Sequence, residues 1–138
     1  MDREMIAEKL ESLRRCIERV SHKCPPDVET LARDFDLQDI LALNLSRAVQ
    51  LCVDIGAHLI TDLDVTPPDS MGETFHALSR AGIIEEDLAN RLKKAVGFRN
   101  IAVHNYEAIN WAIVHSIARN RLGDFSEFAT VVSSKIGG

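Results

Sequence analysis

The chain has 138 residues, enough for one domain with a sizeable core, and its 46% apolar and 27% charged composition is that of an ordinary globular protein. A net charge of −5 excludes broad, charge-driven binding to nucleic acid, which needs a basic face, but leaves room for a small basic site. Arg47 and Asp54 interrupt the apolar stretch over 41–60, so no membrane span is expected; Met1-Asp2-Arg3-Glu4 does not read as a signal peptide, and a cytoplasmic location is expected.

Residues 2–22 read as a long helix, with Ile6, Leu10, Leu13, Ile17 and Val20 stepping by four and three. Cys24-Pro25-Pro26 stops it, and Asp27 caps a short helix over 28–34. Asp36 is expected to cap the next helix, 37–62, whose seam is Leu41, Leu45, Ala48, Cys52, Ile55 and Leu59. Beside that seam runs a polar row, Arg47, Gln50, Asp54 and His58, on one helix face. The row is either the solvent face or the wall of a cleft or partner surface. Residues 64–70, with Pro67-Pro68, form a loop. A helix over 71–81 turns Phe75 and Leu78 inward and ends at Gly82. Glu85-Glu86-Asp87 places acid in the first turn of a helix over 85–102. Asn110 caps a helix over 111–119. The last helix, 121–136, buries Phe125, Phe128, Val132 and Ile136 ahead of a frayed Gly137-Gly138.

No strand pattern, repeat or low-complexity tract interrupts this series. The fold class is all-α, an antiparallel up-and-down helical bundle forming a single domain over 1–138. Cys16, Cys24 and Cys52 are odd in number and lack a CxxC pair, which suits reduced thiols rather than a disulfide framework or zinc site. Arg14, Arg15 and Arg19, and separately Arg91, Lys93 and Lys94, are local basic clusters or simply solvated helix faces. His22, His76 and His115 read as ordinary histidines, His58 belongs to the polar row, and Trp111 reads as core or interface.

The chemistry concentrates in Gly97-Phe98-Arg99-Asn100-Ile101-Ala102-Val103-His104-Asn105-Tyr106. The apolar stripe Leu88, Leu92, Ala95 and Val96 continues onto Arg99, and a charge on a core-facing stripe needs an anion. Either Arg99 pairs with a buried Asp, His104 ends the helix and Tyr106 is a core aromatic, or the three form a site. Five helical residues rotate by about 140°, so Arg99 and His104 do not meet on one regular helix. Either the helix ends before His104 or the two meet across a dimer axis. Asp54 is a candidate partner for Arg99 or His104. Asn100 is a candidate to bind phosphate or orient His104.

The Arg99–His104–Tyr106 spacing with the polar Asn100 resembles the HEPN superfamily, and within it the HepT subgroup of HepT–MntA toxin–antitoxin pairs. The resemblance extends to Phe75-His76-Ala77-Leu78, Gly82-Ile83-Ile84, Asp124-Phe125-Ser126-Glu127-Phe128 and Asn44-Leu45-Ser46-Arg47-Ala48-Val49-Gln50 with Asp54 and His58, covering roughly 37–130. It implies a homodimeric, metal-independent endoribonuclease with no cofactor, whose Arg–His motifs face one cleft. It implies an MntA-like nucleotidyltransferase antitoxin that transfers AMP from ATP to Tyr106. Arg99 would hold the scissile phosphate and His104 move protons. Asn100, Tyr106, Asp54 and Arg47 would support the substrate. Two other readings stand beside it: a non-catalytic helical dimer that binds and regulates a nucleotidyltransferase, and a module that binds a nucleotide through Arg99.

Overall fold

The helices begin where short polar side chains can take the free N–H groups of a first turn. In the computed structural model, which describes residues 2–137, Asp2 accepts the Met5 N–H and opens α1 (Arg3–Lys23). Asp27 accepts from Thr30 and opens α2 (Val28–Arg33). Asp34, not Asp36, caps α3 (Phe35–Ile60), because Asp34 holds the extended backbone a cap requires while Asp36 already lies in the first turn. Ser70 caps α4 (Met71–Arg80), and α5 spans Glu86–His104. A 3-10 turn, Tyr106–Ala108, leads to α6 (Trp111–Asn120), where Asn110 accepts from both Ala112 and Ile113. α7 spans Leu122–Gly137, so Gly137 closes a helix rather than fraying, and Gly138 lies outside the described residues.

α3 is the axis of an antiparallel bundle. Its buried seam, Leu41, Leu45, Ala48, Cys52, Ile55 and Leu59, is the one the spacing predicts. The helix is long and apolar enough to cross a membrane, yet that apolar surface is covered by α1, α4 and α5, which makes it a core helix. α1 runs antiparallel to it: the Asp2 N–H reaches His58 and Lys9 reaches Asp54. Buried Gln38 donates to the Leu31 and Ala32 carbonyls, satisfying the open end of α2. Phe75 of α4 meets Phe128 of α7 edge to face, with centroids 5.9 Å apart, a geometry that adds about 0.5–1.5 kcal/mol beyond area burial. Gly82 adopts φ +78°, and the Ile83 N–H returns to the Leu78 carbonyl, so this glycine stops α4 as the sequence indicates.

α3 and α4 approach closely at Gly56, where an added Cβ would lie 2.9 Å from Thr74 Cγ2 and 3.1 Å from Leu78 Cδ1. Thr74 is stiff at χ1 and buried, so it yields poorly. Gly56→Ala should therefore destabilise the protein by about 1–3 kcal/mol despite its better helix propensity. Urea unfolding reads this as a lower midpoint at unchanged slope; an unchanged or higher midpoint would show that α4 can back away.

Candidate active site

The core stripe of α5, Leu88, Ala89, Leu92 and Val96, is buried, and one further step along it places Arg99 half-buried beside α4. Its Nη1 donates to Asn100 Oδ1 at 3.1 Å and lies 3.7 Å from Met71 Sδ. Among the described residues no carboxylate pairs with it, so the buried Asp of the alternative reading is not found. A guanidinium partly stripped of water and lacking a counter-ion is suited to hold an anion. Asn100 orients this guanidinium and makes no bond to His104.

α5 does not end at 102. Gly97 lies inside it without breaking it, no proline interrupts it, and it stops only at Asn105, whose N–H reaches the Ile101 carbonyl at 2.8 Å. Arg99 and His104 therefore lie on one regular helix, about 140° and roughly 7.5 Å apart along it. The helix-ending route to bringing them together is thereby removed. His104 is exposed and has no hydrogen-bond or ion-pair partner among the described residues.

Tyr106 opens the 3-10 turn. Its hydroxyl donates to Asp39 Oδ1 of α3, and its ring meets Trp111 at 5.8 Å and 64°. Burial first, and then the hydrogen bond and negative charge of Asp39, push the phenol well above its usual value. Asp39 is the residue the spacing analysis missed. It lies eight residues before Arg47, two turns back along the polar row, with exposed Leu43 between them breaking the polar pattern.

The polar row divides. Asp54 accepts from Gln50 Nε2 at 2.8 Å and sits 3.7 Å from Lys9 Nζ, so it serves the α1–α3 contact and not Arg99 or His104. That side of α3 is covered by α1, whereas the end of α5 reaches α3 near Asp39. His58 accepts the Asp2 N–H and is structural, as is His115 on the Pro25 carbonyl at 2.8 Å. Arg47 remains exposed and lines an open groove of about 490 Å³ with Arg15, Arg19, Asn44 and Gln50. Glu11 and Glu18 are taken up by Arg14, while Arg19 and Arg47 have no carboxylate partner among the described residues.

A more apolar groove of about 550 Å³ opens on another side of α5, lined by Phe98, Ile101, Ile109, Ile113 and Ile117. Arg99, which turns toward Met71 of α4, is not among its lining residues. Cys16, Cys24 and Cys52 are free thiols, each pushed up by burial and suited to packing rather than chemistry. Among the described residues no group of three or more His, Cys, Asp or Glu side chains is placed to hold a metal ion.

Comparison with known proteins converges on one group. A model of the ribonuclease HepT-like family matches residues 6–132. The mRNA nuclease HepT of Shewanella oneidensis is 35% identical over 132 residues, covering 96% of this chain and 98% of its own. The solved structure of a tri-AMPylated Shewanella oneidensis HEPN toxin in complex with MNT antitoxin has a TM-score of 0.87 at 35% identity, covering 97% of this chain and 98% of that one. A toxin–antitoxin structure with AMP-PNP has a TM-score of 0.89 at 34% identity, covering 95% of this chain and 98% of that one.

Tyr106 is the one tyrosine of the chain, so its ionisation can be followed directly by tyrosinate absorbance. The folded protein should titrate well above the usual phenol value of about 10. Asp39→Asn, which removes the neighbouring negative charge, should lower that midpoint. Equal midpoints in both proteins would show that Asp39 does not govern the hydroxyl in solution.

Proposed function

The chain belongs to the ribonuclease HepT-like family, and from that premise we propose that it is the toxin of a toxin–antitoxin pair, an endoribonuclease silenced by AMPylation of Tyr106 by a nucleotidyltransferase antitoxin. The observation that carries this reading is the half-buried Arg99 guanidinium at the same end of α5 as an exposed His104, Arg99 having no carboxylate partner and His104 no partner at all among the described residues. Such a pair fits RNA cleavage without a metal, because the 2′-hydroxyl of RNA can itself attack the adjacent phosphorus. The O2′–P bond forms as the P–O5′ bond breaks, leaving a 2′,3′-cyclic phosphate and a 5′-hydroxyl. Arg99 neutralises charge growing on the phosphoryl oxygens, with Asn100 holding its guanidinium. His104 handles the proton transfer, since an imidazole ring can both take and give a proton.

Since the two residues diverge on one helix, the working site is composite: His104 of one copy faces Arg99 of another across a two-fold axis. Leu43 at 52% exposure, Ile101 at 44% and Val103 at 52% supply apolar surface near that end of the molecule for a second copy to cover. Arg47, with Arg15 and Arg19, lines a local basic groove on an acidic protein, which supports a role in taking further phosphates of the RNA. AMP units on Tyr106 bring phosphates to the approach of the anion site and oppose RNA both sterically and electrostatically. The chain acts as a single cytoplasmic domain with RNA and the antitoxin as partners.

Arg99→Ala and His104→Ala should each lower RNA cleavage by about 10²–10⁴-fold with little change in unfolding midpoint. The wild-type product should carry a 2′,3′-cyclic phosphate, read by mass spectrometry of a short cleaved RNA. A 3′-hydroxyl product would rule out this mechanism.

A further inference from the structure

A tyrosine hydroxyl is a poor nucleophile while protonated, and its transfer chemistry needs a base within hydrogen-bond reach. The structure already provides one. Oη of Tyr106 donates to Oδ1 of Asp39, a residue on a different helix and 67 positions away in sequence. We propose that Asp39 is the general base for AMPylation of Tyr106, so that the toxin carries the base for its own modification. This rests on the reading of Tyr106 as the modified residue.

Three features support the assignment. Asp39 has no cationic partner among the described residues and caps no helix, so its carboxylate is committed to the tyrosine alone. Trp111 packs against the Tyr106 ring at 5.8 Å, and the 3-10 turn begins at that residue, so the position of Oη is held. The phenol resists ionisation, because burial and the Asp39 charge disfavour a free tyrosinate there. The proton must therefore pass to Asp39 as the new bond forms rather than before it.

The step balances. Oη attacks the α-phosphorus of a nucleoside triphosphate, and the Oη–P bond forms. The bond from the α-phosphorus to the oxygen bridging to the β-phosphorus breaks, and pyrophosphate leaves with the electron pair. The hydroxyl proton goes to Asp39 Oδ1 and from there to solvent. Protonation of Asp39 also removes a negative charge beside the new phosphodiester. A carboxylate accepting a hydroxyl proton serves the same purpose in protein kinases, where the enzyme supplies it rather than the protein being modified.

The test measures AMP incorporation under single-turnover conditions by intact mass. It uses full-length toxin, its nucleotidyltransferase partner and ATP, across a range of pH. Asp39→Asn preserves the shape and an acceptor oxygen but cannot take the proton. Its rate at neutral pH should fall by about 10²–10⁴-fold and climb with pH as hydroxide replaces the missing base. Asp39→Glu should recover much of the rate. Wild-type speed in Asp39→Asn, or a loss equal at every pH, would overturn the proposal, because a merely structural contact gives no pH-dependent rescue. Tyr106→Phe separates the underlying reading: if it is modified as fast as wild type, Tyr106 is not the acceptor and the proposal falls with that reading.

Discussion

A regular α-helix turns about 100° per residue, and α5 keeps to that rule from Glu86 through His104. This constraint fixes the rest of the site. It sends Arg99 along the core stripe toward α4, where burial and Met71 replace part of its water. It sends His104 away to solvent, where no group among the described residues bonds its ring nitrogens. One chain thus holds both halves of the proposed acid–base and phosphate-binding pair without joining them. A two-fold copy resolves the geometry with no distortion of the helix, and it would also cover the apolar side chains left open near the end of α5.

The break after α5 sets Tyr106 apart from Arg99 and His104. Asn105 ends the helix and the 3-10 turn lifts Tyr106 across to α3, where Asp39 receives its hydroxyl. Tyr106 is therefore close to Arg99 and His104 in sequence but tied to a different helix. In the proposed mechanism its modification would depend on α3 and cleavage on α5, so Asp39 would act on the one without altering how Arg99 or His104 is held.

Much of the fold was legible because caps and apolar seams are local signals. Asp27 and Asn110 cap helices, Gly82 ends one, and the α3 seam is buried as its spacing requires, whereas the α3 cap is Asp34 rather than the expected Asp36 two residues on. The candidate site was legible only in part. Periodicity groups Arg47, Gln50, Asp54 and His58 on one face, but it cannot say which neighbouring helix covers which edge of that face. α1 takes Asp54 and His58, leaving Arg47 in an open groove. Asp39 escaped because its partner is 67 residues away and the exposed Leu43 breaks the polar row between it and Arg47.

In the proposed mechanism Arg99 and His104 act from different copies of the chain, and mixing subunits distinguishes this from action within one copy. Inactive Arg99→Ala and His104→Ala proteins, unfolded together and refolded, form heterodimers in which one composite site keeps both residues. RNA cleavage should return to about a quarter of wild type in the random mixture, since half the dimers would carry one intact site of two. If the refolded mixture stays as inactive as either parent while heterodimers are present, Arg99 and His104 act within one chain and the composite site is wrong.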